Sequence, residues 1–392
     1  MKHKVALLSS ALLFVSSIAA FAGEGDYDAT ADKLVNESLN VQPGEIVLIN
    51  GHPMEMELLE AVQVAVSKAG AEPVVLMNLP AATKRSLMET PIEYLKQVPT
   101  GQIKLIEMAD AQIDLFADAQ PDRLADVPEE RLAANRQAGA PVFDALVKAD
   151  IRYVGLGQTG GIPTEAYAAS QTANYSDMTD MFWSAVGVSP AALASVGKKV
   201  AVMLDPGASA RLTADNGTNL AFKLDKGAAR INAGRTADVA DVSGAAQVWL
   251  PAGETYTCVD TSSATGTLVV DQMTFRGMPV ENLKMTFKDG RMIELTADSN
   301  ADMLKEYFAA STPNTRDLSV VDVGLNPASQ PIDGSKYNSW EMGGMVTLSM
   351  GNNVWAGGEN DSVGGLAVHV PGATLEVAGT TIVEKGELIA GL

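Results

Sequence analysis

The sequence predicts an α/β N-terminal domain with a parallel sheet, followed by a β-rich α+β C-terminal domain. Three observations carry this. Residues 45–77 read as strand, helix and strand, and a crossover of that kind implies a parallel sheet covered by helices. Further short apolar strands, separated by long helical stretches, continue to about residue 197. From about residue 199 the texture changes to closely spaced strands with Gly, Asn and Asp turns, which places a domain boundary near residue 198.

The N-terminus reads as an export signal. Lys2, His3 and Lys4 form a positive segment, and residues 5–18 are apolar but too short to span a bilayer. Ala20-Phe21-Ala22 fits a small-x-small cleavage site. The expectation is a signal peptide at 1–22, cut between Ala22 and Gly23, and a periplasmic or secreted protein not inserted in the membrane once the signal is removed. The domains expected are then 23–198 and 199–392.

"EIVLIN" is the first strand, and a helix is expected over 55–69 with Met56, Leu59, Val62 and Val66 on one face. Gly70 ends it and "PVVLMN" is the second strand. After the first strand comes "GHPMEME" rather than G-x-G-x-x-G, so no dinucleotide cradle is expected. "AQIDLFAD" and "ADIRYVGLG" are strands flanking a helix at 129–147. Residues 175–197 read as helix, turn and helix with Pro190 in the break, and Phe182 and Trp183 as core. "KKVAVML", "LAFKLD", "AARINAG", "GTLVVDQMTF", "ATLEVAG" and "TTIVEK" read as strands, and Asp289-Gly290 as the turn of a hairpin.

Composition narrows the chemistry. The net charge is -20, and removing two lysines with the leader makes it -22, which argues against nucleic acid and anionic lipid. The lone cysteine, Cys258, cannot form an internal disulfide and reads as a buried, inert thiol. Of three histidines only His52 and His369 lie outside the leader. Neither is served by a G-x-S-x-G elbow, and "GQTGGIPT" lacks the lysine of a phosphate loop.

One short stretch points to chemistry. "LPAGETYTCVD" presents Glu254 directly after a Pro-Ala-Gly turn. Together with "LVNESLNVQPGEIVLING", "IDLFADAQPDRLADVPEERLAANRQA" and "NGTNLAFKL", in that order along the chain, it resembles the dinuclear metallo-aminopeptidases typified by aminopeptidases T and S. In that family the glutamate of the Pro-x-Gly-Glu turn ligates a catalytic metal, so the resemblance implies that Glu254 occupies a metal position. It also implies a homodimer. A two-metal site needs several carboxylates and imidazoles to hold both ions. Here the other family positions fall on Val320, Thr347, Gly365 and Ala367, and the family's tyrosine falls on Val354.

Three readings follow. The first is an exported relative that has lost its metals, with no cofactor expected, in which neutral residues stabilise an emptied cleft and peptides are the expected ligand. The second is a working metal-dependent aminopeptidase with a rewired centre. There Glu254, with Asp322 and His369 as substitutes and Glu359 or Asp361 as helpers, binds a single zinc, cobalt or manganese ion. The third is a periplasmic solute-binding protein with a pocket between its domains.

Overall fold

The computed structural model describes residues 26–117, 120–149, 151–157, 161–239 and 246–389. The expected leader lies outside them. Strands β1 (Ile46–Gly51), β2 (Glu72–Met77), β3 (Ala111–Leu115) and β4 (Arg152–Leu156) pair in parallel. The chain then forms β5 (Ser209–Thr213), β6 (Asn219–Lys223) and β7 (Arg230–Asn232) before β8 (Gln247–Leu250) returns to pair in parallel with β4. The first sheet therefore has the order β2-β1-β3-β4-β8, and it crosses the boundary expected near residue 198.

The remaining strands are β9 (Glu254–Cys258), β10 (Thr265–Phe275), β11 (Met278–Lys288), β12 (Arg291–Thr296), β13 (Leu318–Gly324), β14 (Val346–Gly351), β15 (Gly365–Val370), β16 (Thr374–Val377), β17 (Thr380–Glu384) and β18 (Glu387–Leu388). They complete two antiparallel sheets, β12-β11-β10-β6-β5-β16-β17-β18 and β15-β14-β13-β9-β7. The α/β-then-β-rich order predicted from the sequence is the observed one.

Local chemistry explains most elements. The helix Met56–Lys68 buries Leu58, Leu59, Val62 and Val66 against the first sheet, and Gly70 follows it in the left-handed conformation. Met56 is exposed, contrary to expectation, and Leu58 takes the inward position. Phe182 and Trp183 are core residues in edge-to-face contact. Asp289 and Gly290 both have positive φ and join β11 to β12, as a tight hairpin turn requires.

One segment departs from its pattern. "KKVAVML" alternates like a strand but continues the helix Pro190–Met203. Leu193, Gly197, Val200 and Leu204 recur at helical spacing and face inward, whereas Val202 is 80% exposed. Helical periodicity with buried partners outweighs a short alternation. Gly197 lets this helix approach Ile231 and Thr255 closely enough that a β-carbon would collide with Ile231.

The core of the second half lies between the two antiparallel sheets. Leu212, Leu220, Phe222 and Leu268 come from one sheet, and Val321, Val323, Leu348 and Val368 from the other. Only one face of the five-stranded antiparallel sheet is used in this way. Over its other face passes the loop at 340–342. A β-carbon on Gly324 would lie 2.1 Å from the carbonyl oxygen of Met342 and 2.4 Å from that of Trp340. The replacement Gly324→Ala is therefore expected to displace this loop and lower the unfolding free energy by about 1–3 kcal/mol in urea titrations. An unchanged midpoint would show that the loop is not held against the sheet.

Candidate functional site

The free face of the β7-β9-β13-β14-β15 sheet gathers the residues that the sequence singled out. Register determines this, because directly opposed residues in antiparallel strands point to the same side. One transverse row runs Arg230, Tyr256, Asp322, Thr347 and His369. The row on one side of it holds Asn232, Glu254 and Gly324, and the row on the other holds Cys258, Val320, Ser349 and Ala367. Glu254, Asp322 and His369 thus share a face with Val320, Thr347, Gly365 and Ala367. Val354 starts the 3-10 turn Val354–Ala356 outside the sheet.

Glu254 is held from behind. The Leu250–Pro251 peptide is cis, and Gly253 has φ +126°. A β-carbon at Gly253 would lie 2.9 Å from the amide nitrogen of Asn326, so only glycine fits. The Asn326 side-chain amide donates to the carbonyls of Ala252 (2.6 Å) and Ala185 (3.0 Å), clamping the turn to the first half of the chain.

The carboxylates are the unusual feature. Glu254 and Asp322 have no measurable solvent exposure, and none of their four carboxylate oxygens has a hydrogen-bond partner of normal geometry. Burial pushes both pKa values well above the ordinary 4.5 and 3.8. The nearby charge of Glu341 adds to the rise for both, and that of Glu254 adds for Asp322. Trp249 and Asn232 draw the Glu254 value back only in part. Glu341, which no sequence motif marked, sits in the covering loop and accepts hydrogen bonds from the hydroxyls of Ser329 (3.0 Å) and Ser339.

His369 does not join the carboxylates. Its Nδ1 shares a 2.8 Å hydrogen bond with the Thr347 hydroxyl, which stands between it and Asp322 in the row. Burial pushes its pKa down to about 4, so the ring is neutral at ordinary pH. Asp361 and Glu359 are exposed on the loop beyond the sheet. Cys258 is buried on the same face and its thiol is pushed up to about 12, chiefly by burial, as an inert thiol should be.

Aromatic rings cover this face. Trp249 stacks on Tyr256 at 5.7 Å, Tyr256 meets Trp355 at 5.2 Å, Trp355 meets Trp340 at 6.4 Å, and Trp340 meets His369 at 6.0 Å. Beside them a cavity of about 520 Å³ opens between the helix Glu129–Lys148 and the β14–β15 edge. Ser349, Gly365 and Ala367 form part of it, with Trp340, Trp355 and Phe143 as apolar walls. Arg136, Asp144 and Asp361 supply charge. Trp340, Trp355 and Glu341 were missed from sequence because they lie between the strands, in segments whose approach to the sheet no local pattern encodes.

These donors do not fit a dinuclear metal centre. Val320, Gly365 and Ala367 offer no side-chain ligand, and the Thr347 hydroxyl is engaged with His369. Among the described residues no three His, Cys, Asp or Glu side chains are grouped to hold one ion.

The family model described as thermophilic metalloprotease (M29) matches residues 25–340. Wild-type AmpT from Thermus thermophilus shares the fold with a TM-score of 0.68 at 15% identity, over 93% of this chain and 99% of that one. A 2,5-dihydroxypyridine dioxygenase from Pseudomonas putida KT2440 is similar with a TM-score of 0.56, also at 15% identity, over 93% and 97%. No curated protein sequence matches.

The acid pair gives a pH signature. Both carboxyls hold folded pKa values above their unfolded ones, so their stabilising protonation is fully present below about pH 4 and is lost as pH rises. His369 acts oppositely, its folded value lying below its unfolded one, so its contribution is full above 6.5 and is lost toward pH 4. In chelator-treated protein, Glu254→Gln and Asp322→Asn should each raise the unfolding free energy at pH 8 by on the order of 1–2 kcal/mol. That gain should shrink toward zero near pH 4. A variant less stable than the parent at pH 8 would mean that the ionised carboxylate has a stabilising partner. Cys258 should resist alkylation at pH 8 until the chain unfolds, followed by mass spectrometry.

Proposed function

Because the chain belongs to the thermophilic metalloprotease (M29) family, we propose that it keeps the family's fold as the scaffold of a peptide-binding cleft and has given up metal-dependent hydrolysis. The observation that carries this reading is the cavity beside the sheet. Where the resemblance implies metal ligands, Gly365 and Ala367 contribute no donor and leave room between two indoles. The likeness to a dioxygenase, a different chemistry on a similar fold, shows that the scaffold does not prescribe a reaction.

In this role the chain's own residues supply recognition only. Trp340, Trp355 and Phe143 take an apolar side chain, since aromatic walls with a few placed polar groups are what small-ligand pockets use. Asp144 and Asp361 face an N-terminal ammonium, and Arg136, already paired with Glu129 at 2.7 Å, faces a carboxylate or carbonyl. The leader-like N-terminus supports export, and with it a binding role in the periplasm or outside the cell. The family resemblance supports a homodimer.

A second reading is favoured by one observation. Two buried carboxylates without hydrogen-bond partners are costly, and a divalent cation between Glu254 and Asp322 would relieve that cost. Elemental analysis after incubation with zinc, cobalt or manganese and removal of excess ion separates the two. Substoichiometric metal, with no hydrolysis of an aminoacyl anilide in parent or Glu254→Ala protein, is expected. One equivalent of metal that is lost in Glu254→Ala, together with measurable hydrolysis, would transfer the assignment to the enzyme. Under the binding reading, Trp340→Ala should weaken capture of a short apolar peptide about tenfold in calorimetry.

A further inference from the structure

A second cavity, unrelated to the cleft, lies in the parallel sheet. It has a volume of about 500 Å³ and sits at the carboxyl ends of β1, β2 and β3. The chain leaves β1 toward β2 on one side, then returns across β1 to place β3 and β4 on the other. The sheet therefore changes its direction of growth between β1 and β3, where open α/β sheets leave a crevice for ligands.

The side chains there are wrong for a purely structural sheet. Central parallel strands are normally apolar on both faces. Val47, Ile49, Ile113 and Leu115 obey this on the side packed by the helix Met56–Lys68. On the opposite side Asn50, Gln112, Asp114 and Tyr153 form a polar network. Asp114 Oδ1 accepts from the Asn50 amide (2.5 Å) and the Gln112 amide (2.9 Å), and Oδ2 accepts from the Tyr153 hydroxyl (3.2 Å). Burial pushes the Asp114 pKa up, and these three bonds draw it back. The helices Thr100–Met108 and Glu129–Lys148 do not cover the network, and the cavity remains between them and the sheet.

The lining sets the chemistry of a ligand. Among the described residues around the cavity Asp114 is the only Asp or Glu, and none is Lys or Arg. Its Oδ2 holds one donor where a carboxylate oxygen takes two, and the carbonyl ends of Asn50 and Gln112 add acceptors. Leu48, Leu76, Leu105, Ile106, Phe116 and Val142 make most of the remaining lining apolar, beside the polar side chains of His52, Asn78 and Gln102. Acceptors with a single negative charge at the floor, and hydrocarbon at the walls, suit a donor with a hydrophobic body.

We propose that this cavity is a binding site for a small primary amine bearing an apolar or aromatic body, its ammonium group donating to Asp114. The site is independent of the cleft and of its reading. The test is calorimetric titration of the full chain with phenethylammonium, its neutral analogue phenethyl alcohol and the anion 3-phenylpropionate. Saturable binding of the ammonium is expected, at least about tenfold tighter than of the alcohol, because the alcohol donates to Asp114 without a positive charge of its own. No saturable binding of the anion is expected.

Two variants locate the site. Asp114→Asn should remove the preference for the cation, and Leu105→Trp should block the cavity from its helix wall without touching the network. Leu105→Trp decides the matter if Asp114→Asn fails to fold by circular dichroism. Trp340→Ala, in the other cavity, should leave the binding that Leu105→Trp removes at its parental affinity. The proposal is overturned if the parent shows no saturable binding, if the anion binds as well as the cation, or if Leu105→Trp retains parental affinity.

Discussion

The two-residue period of the β7-β9-β13-β14-β15 sheet, locked in antiparallel register, is the constraint from which the rest of the second half follows. Val321, Val323, Leu348 and Val368 must face the other sheet to form a core. Once they do, Tyr256, Asp322, Thr347 and His369 have no choice but to face the other way. A slip of one residue in β13 would bring Asp322 into hydrocarbon and Val321 into the cleft. Apolar burial on one face therefore fixes the geometry of the polar face, and it does so whatever that polar face is for.

That separation explains how the chain can carry Glu254 and Asp322 where they are. Two carboxyl groups without partners in a dry setting are an expense no stable fold needs, and uncharged forms are the means by which such groups lessen it. The fold tolerates them because its cores lie elsewhere and are well filled. The aromatic layer of Trp249, Tyr256, Trp355 and Trp340 then covers the buried carboxyl groups, and burial raises their pKa values and lowers that of His369. Membership of a metalloprotease family and a cleft with too few ligands are compatible on these terms. The fold is maintained by packing that never involved the ligands.

Much of this was legible in the residues. The β1–helix–β2 unit, the Asp289-Gly290 hairpin and the core roles of Phe182 and Trp183 are local patterns, and each formed, with Leu58 in place of Met56 on the buried face of the helix. The family resemblance placed Glu254, and a two-residue spacing sufficed to set Asp322 on the same face as Val320. What the sequence hid was long-range. Nothing near residue 247 announces that β8 crosses back to β4, and the helix Pro190–Met203 was masked by a chance alternation in its last turns. Glu341 and Trp340 act at the sheet because Gly324 admits their loop, a contact made across about sixteen residues of chain. The polar network around Asp114 was likewise invisible, since its members come from three separate strands.

The arrangement of the indoles has an optical consequence. Of the four tryptophans, Trp249, Trp340 and Trp355 form one contiguous array, while Trp183 packs with Tyr27 and Phe182 in the other half. Indole centroids 5.9 and 6.4 Å apart are close enough to exchange excitation, which couples the emission of the three beside the cleft. The fourth reports on the parallel-sheet half alone. The chain thus carries two separate tryptophan groups, one within the parallel-sheet half and one that, through Trp249 of β8, joins that sheet to the cleft.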